Sequence, residues 1–286
     1  MRWYFKRLTP KIWADFTEGK VGISELQLDI PGGQLPARMY HGAAGHPVIL
    51  FFHGGGWVVG DLDSHHPFCS ELSARTRCTV LSVDYRLAPE HPYPAALDDA
   101  LAAYDWLEDH IHHIAPNNGH IIVAGDSAGG NLAAAIAFAK RDKAELMGAL
   151  LIYPATDHYI AAFPSYEEHR SAKPLGAGMM RWFFDVYLGD LDPDDPGLAR
   201  GLVNRQVDLT GFPQTLLVTA ELDPLRDDGR QFMQRLKAAG ISVDYIHFED
   251  EAHGFATASG YSDGFRQFMG ATQQWLNKLA HKVSDY

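Results

Sequence analysis

The sequence predicts an α/β fold: a mostly parallel central sheet flanked by helices. Three observations carry this expectation. Residues 48–52 are a continuous apolar run, the pattern of a strand covered on both faces, and 79–83 read as another buried strand. Further strands are expected at 121–124, 149–153, 215–220 and 243–248, separated by segments of helical composition and period at 62–76, 95–110, 131–140 and 226–239. Strands alternating with helices form βαβ units, and such units make neighbouring strands parallel. The third observation is the glycine-rich turn Gly125-Asp126-Ser127-Ala128-Gly129-Gly130, which joins the run 121–124 to an Ala-rich helix.

Taken in order, residues 1–20 place Trp3, Phe5, Leu8, Ile12, Trp13 and Phe16 at spacings mostly compatible with one helical face, while Arg2, Lys6 and Lys11 fall largely elsewhere. An amphipathic helix docked on the protein is expected there. Residues 25–30 alternate polar and apolar side chains, as a half-exposed strand does, and Pro31-Gly32-Gly33 turns the chain into a second strand at 35–40. The pair reads as a hairpin at a sheet edge. Between 154 and about 204 the alternation lapses, and Phe163, Trp182, Phe183, Phe184, Tyr187 and Leu188 sit among prolines, glycines and an acidic turn at 190–195. That stretch is too long for a structureless loop and too aromatic for a linker, so an inserted helical cap is expected. A final helix spans 260–282. The expected division is a cap helix at 1–20, a first part of the core at 21–153, the inserted cap at 154–204 and a second part of the core at 205–286.

Composition narrows the function. Hydrophobic residues at 46% and charged residues at 21% are ordinary globular values for a chain of 286 residues. A net charge of −12 argues against nucleic acid and anionic membrane as partners. Cys69 and Cys78 are too few for a disulfide framework and lack metal-site spacing; they read as buried thiols. The histidines, densest at 109–113, match no zinc-ligand pattern. No stretch approaches the ~20 apolar residues of a membrane span, and no signal-peptide run follows the basic start, so a cytoplasmic location is expected.

Ser127 lies at a strand-to-helix turn with glycine two places before and two after, the spacing of a nucleophile elbow. A serine hydroxyl is a poor nucleophile near neutral pH and needs a base, usually an imidazole oriented by a carboxylate. Asp223 follows one expected strand and His253 the next, in the order acid then histidine. Taken singly, Asp223 could cap the helix after it and His253 could be an ordinary loop histidine; the ordered set favours a triad. Glu221 is a weaker candidate for the acid. His53-Gly54-Gly55-Gly56 directly after a strand suits an oxyanion hole, with donors expected from the backbone of Gly55, Gly56 and Ala128. Trp57, Phe163, Trp182, Phe183 and Tyr187 are candidates to line a substrate pocket or to be core. Asp126 is a further candidate at the site, or a brace for neighbouring loops. Arg86, Glu90, Asp98 and Asp99 read as ion pairs holding the loop beside the elbow.

Five ordered motifs carry a resemblance: His53-Gly54-Gly55-Gly56-Trp57, Tyr85-Arg86-Leu87-Ala88-Pro89-Glu90, Gly125-Asp126-Ser127-Ala128-Gly129-Gly130-Asn131-Leu132-Ala133, Asp223-Pro224-Leu225-Arg226-Asp227 and Ala252-His253-Gly254-Phe255. Together they resemble the bacterial hormone-sensitive-lipase-like esterases, in the branch with GDSAG at the elbow. The resemblance implies an α/β-hydrolase fold with a sheet of about eight strands, a helical cap made from the N-terminus and an insertion, and hydrolysis of short-chain carboxylic esters. The segment before His53 is short for that family, which predicts a reduced N-terminal part of the cap. The expected activity is that of a serine carboxylesterase acting on short- to medium-chain esters through an acyl-enzyme on Ser127. Related alternatives are an amidase or a sugar deacetylase on the same residues, or a non-catalytic small-molecule receptor of the same fold. The expected partner is a small ester, with no metal, no cofactor and a homodimer left open.

Overall fold

Strands without a polar face need cover on both sides, and the arrangement of the chain supplies it. The structure is a computed structural model that describes residues 21–258 and 260–284. The helix expected at 1–20 lies outside the described residues. Eight strands form one sheet: β1 (Gly22–Ile30), β2 (Gly33–His41), β3 (Val48–Phe52), β4 (Thr79–Val83), β5 (Ile121–Asp126), β6 (Leu146–Ile152), β7 (Gln214–Leu222) and β8 (Val243–Ala252). Their order is β1-β2-β4-β3-β5-β6-β7-β8. β1 and β2 pair antiparallel, as do β2 and β4, and the strands from β4 onward run parallel.

Successive strand residues point to opposite faces, so each buried strand feeds two cores. One face carries Leu50, Phe52, Leu81, Val83, Val123 and Leu151 and is covered by α2 (Ala95–Ile114), α3 (Ala128–Ala139) and α6 (Arg226–Ala238). The other carries Ile49, Phe51, Val80, Ile122, Leu150 and Val218 and is covered by α1 (His66–Thr76) and α8 (Asp263–Ser284). Each fully buried aliphatic or phenyl side chain contributes about 1.5–3 kcal/mol. These positions therefore pin the strand register, since a slip of one residue would exchange the two cores.

Several boundaries differ from expectation for local reasons. α1 begins at His66 because residues 61–64 form a closed turn, in which the Asp61 N–H donates to Ser64 Oγ at 2.9 Å and the Ser64 N–H to Asp61 Oδ1 at 2.8 Å. Pro67 then suits the first helical turn. β8 runs past Phe248 to Ala252: beyond the Ala220–Phe248 pair the register shifts, with two extra residues on the β8 side, and Leu222 pairs with Ala252. The stretch 154–204 holds α4 (Pro164–Glu168), α5 (Ala177–Leu188) and 3₁₀ turns at 159–161, 196–200 and 203–205. Among the described residues no helix is long and apolar enough to cross a membrane.

Candidate active site

Parallel strands deliver their following turns to one end of the sheet, and the chemistry-bearing turns all follow strands there. At the end of β5, Ser127 has φ 55° and ψ −118°, a left-handed conformation that costs a non-glycine residue roughly 1–3 kcal/mol. Backbone contacts hold it. The Ser127 N–H donates to the Ile152 carbonyl at 2.9 Å, and the Asn131 N–H donates to the Ser127 carbonyl at 3.0 Å. Packing explains the flanking glycines: a Cβ on Gly125 would run into the Gly129 backbone, and one on Gly129 into the Phe52 carbonyl.

His253 follows β8, and its Nε2 lies 3.0 Å from Ser127 Oγ. Its Nδ1 lies 2.7 Å from Oδ2 of Asp223, which is fully buried in the turn between β7 and α6. The other oxygen, Oδ1, accepts the Leu225 N–H at 2.8 Å. A carboxylate can only accept, so the geometry puts the imidazole proton on Nδ1 and leaves the Nε2 lone pair facing the serine hydroxyl. The ring of Tyr153 lies against the imidazole at 4.6 Å.

The turn after β3 faces the elbow. Gly55 and Gly56 have φ +121° and +60°, and Gly55 closes the turn by accepting from the N–H groups of Val58 and Val59 at 3.1 and 3.0 Å. Beneath it, His53 stacks on Tyr85 at 4.3 Å, and the Tyr85 hydroxyl donates to the His53 carbonyl at 2.6 Å. Burial, helped by the neighbouring His65, pushes His53 down to about 4, so it stays neutral. Ala128, the first residue of α3, leaves its N–H at the positive end of that helix.

Asp126 ties these turns together. Its Oδ1 accepts the Gly54 N–H at 2.8 Å and stands 3.3 Å from His65 Nε2, and its Oδ2 accepts the Thr257 hydroxyl at 3.0 Å. Burial alone would push this carboxyl up; the His65 ring, the Thr257 hydroxyl and the Gly54 N–H outweigh it and hold the group below the ordinary carboxylate value. Asp126 thus braces the turns on either side of it.

Other candidates fall into place around this set. Glu221 is engaged elsewhere, 2.6 Å from Arg226 Nη1 and 2.9 Å from His247 Nε2. Burial works against its ionisation, but those two partners hold its carboxyl below the usual range. Arg86 pairs with the buried Asp99 and Asp98 with Arg200. Trp57 and Tyr187 stack at 4.4 Å with their planes 4° apart, fully or almost fully buried, and both belong to the hydrophobic core. Phe183 packs on the turn after β3, where a Cβ on Gly56 would strike its ring. Trp182 is 40% exposed and Phe163 half-buried at the start of α4.

Sequence reasoning missed Thr257, Tyr153 and His65, because an isolated threonine, tyrosine or histidine carries no spacing signal. It also missed Ser165 on α4, whose hydroxyl donates to the Pro224 carbonyl at 2.7 Å and whose N–H donates to Asp227 at 3.0 Å, docking the inserted stretch on the acid turn. Cys69 and Cys78 are free and buried, and burial pushes both thiols up, Cys78 to about 12.

Known proteins resemble this chain in sequence and fold. Residues 49–257 match a family model described as alpha/beta hydrolase fold. Carboxylic ester hydrolase LipN of Mycobacterium tuberculosis is 36% identical over 280 residues, covering 91% of this chain and 72% of the relative. Esterase LipI of the same organism is 39% identical over 245 residues, covering 83% and 76%. The solved structure of an esterase from Pyrobaculum calidifontis superposes with a TM-score of 0.90 at 33% identity, covering 98% of this chain and 92% of that one. With the family model spanning most of the chain and esterases matching it in sequence and in shape, the chain belongs to the hormone-sensitive-lipase-like esterases of the α/β-hydrolase fold.

Proposed function

We propose that the chain is a serine carboxylesterase that hydrolyses short- to medium-chain esters through an acyl-enzyme on Ser127. The observation that carries this reading is the linear array Ser127 Oγ, His253 and Asp223, with steps of 3.0 and 2.7 Å. His253 Nε2 takes the serine proton as Oγ attacks the ester carbonyl. The oxyanion rests on the N–H groups of Gly55, Gly56 and Ala128, in a buried setting where such donors are strongest. The imidazolium then gives its proton to the departing alcohol, and water activated by the same nitrogen releases the acid. Asp223 holds the tautomer and offsets the charge on the ring. Phe183 on the oxyanion turn favours a short acyl group.

Purified protein should turn over p-nitrophenyl acetate and butyrate faster than the palmitate ester, and faster than an amide or an acetylated sugar. A fluorophosphonate should label the chain and fail to label Ser127→Ala. An intact protein that takes no label would overturn the acyl-enzyme, and faster turnover of the amide or acetylated sugar would reassign the substrate.

A further inference from the structure

His253 reaches the nucleophile from three strands away. The order β5-β6-β7-β8 puts β8 about 14 Å from β5 at ~4.8 Å per strand, so the turn after β8 must lean back across β7 and β6. The contact with Asp223 anchors that turn only as far as β7. A second anchor reaches β5 itself. It comes from α7 (Phe255–Ala258), the single helical turn that starts two residues after His253.

Thr257 on α7 is 4% exposed, and its Oγ1 has two partners: Asp126 Oδ2 at 3.0 Å and the Tyr153 hydroxyl at 2.9 Å. The directions of these bonds follow from chemistry. Asp126 accepts from three sides as a carboxylate, so the threonine hydroxyl must donate to it. Thr257 Oγ1 has then spent its only proton, so the tyrosine hydroxyl must donate to Thr257. Burial keeps that phenol protonated. The result is one directed chain, Tyr153 to Thr257 to Asp126, which meets the Gly54 N–H donating to the other carboxylate oxygen at 2.8 Å. Bonds arranged head to tail strengthen one another where water is excluded.

We infer that Thr257 is a positioning residue for the reaction: its hydroxyl fastens the His253 turn to the residue preceding the nucleophile, and through Asp126 to the oxyanion turn. The inference rests on the acyl-enzyme reading above. Asp126 is adjacent to Ser127, so the fastening sets the separation of base and nucleophile with one covalent step between them. Tyr153 adds a second constraint, because the same side chain that donates to Thr257 sets its ring against the imidazole, tilted by 53°. Misplacing a reacting group by about 1 Å can cost on the order of 10²-fold in rate without weakening substrate binding.

The test compares Thr257→Val, which keeps the shape and removes the hydroxyl, with Thr257→Ser, which keeps the oxygen. Thr257→Val should lower kcat roughly ten- to hundredfold with KM within about twofold, and slow fluorophosphonate labelling by a similar factor. Thr257→Ser should restore most of the loss in both readouts, which a general packing role for the threonine methyl would not do. Should Thr257→Val fail to fold, Thr257→Cys carries the comparison, since a thiol of similar size bonds far more weakly, and kcat should run Thr ≈ Ser > Cys. Thr257→Val with parental kcat, or Thr257→Ser no better than Cys, would overturn the inference while leaving the acyl-enzyme reading intact. A parent protein that neither turns over esters nor takes the label would overturn both.

Discussion

The elbow around Ser127 and the turn around His253 face each other across 3.0 Å, yet they are held by different means. Residues 121–137 are all buried, and backbone fixes the serine: three main-chain hydrogen bonds and glycines packed against the Phe52 and Gly129 carbonyl groups. By contrast, β8 is mostly half-exposed, and its last turn is held by side chains, namely Asp223, Thr257 and the Tyr153 ring. Ser127, set in the backbone, is displaced only by disturbing the strand that leads into it. His253, set by side chains, is open to displacement by single substitutions that leave the fold in place.

The largest expected effects are on turnover and separate the two sides chemically. Ser127→Ala should lower kcat by roughly 10⁴–10⁶-fold, with the denaturation midpoint near the parent's. Asp223→Asn should cost about 10⁴-fold, because the amide favours the wrong imidazole tautomer. Parental turnover of p-nitrophenyl butyrate by either variant would break the proposed roles.

Backbone against side chain is sharpened by matched glycine substitutions. Gly129→Ala puts a methyl into the Phe52 carbonyl, which cannot swing aside, and should destabilise by about 3 kcal/mol or more in denaturant unfolding. At Gly254, beside the imidazole, an added Cβ finds its nearest atom 3.7 Å away and meets only the strain of φ +86°. Gly254→Ala should cost about 1–2 kcal/mol. Equal losses at the two positions would erase the contrast.

The remaining effect is a pH slope, carried by the helix that follows the Asp223 turn. Asp228 on α6 is fully buried and accepts the N–H groups of Thr156 and Asp157 at 2.8 and 3.2 Å, besides the Thr156 hydroxyl. Burial pushes its carboxyl up to about 7, against those hydrogen bonds. An unfolded aspartate titrates near ~3.9. Between these values the folded chain keeps a proton that the unfolded chain releases, so stability falls as pH rises from about 4 toward 7, by at most about 1.4 kcal/mol per pH unit. Asp228→Asn should remove that slope in denaturation midpoints measured from pH 4.5 to 7.5; an unchanged slope would place the titrating group elsewhere.

Much of the sheet is legible along the chain because buried strands declare themselves by apolar runs and the helices by their period. β8 is legible only to Phe248, since Glu249, Asp250 and Glu251 read as loop, and it is the pairing of Leu222 with Ala252 that keeps them in the strand. Of the aromatic residues picked as pocket candidates, Trp57 and Tyr187 turn out to stack on each other, a contact 130 positions apart in sequence that no local pattern encodes. Asp126 shows the same limit. Its neighbour Ser127 gives it away as important, but Gly54, His65 and Thr257 as its partners are visible only in three dimensions.

By itself, the amino-acid sequence determined the α/β class, the order of strands and helices, and the residue types standing at each strand end. Those features depend on periodicity and on the steric needs of neighbours a few positions apart. Only the tertiary structure decided that the turns after β7 and β8 lean back to β5, and by how much. Ser127 and His253 are 126 positions apart, and the 3.0 Å between them is the sum of sheet register, helix packing and buried hydrogen bonds, none of which is local.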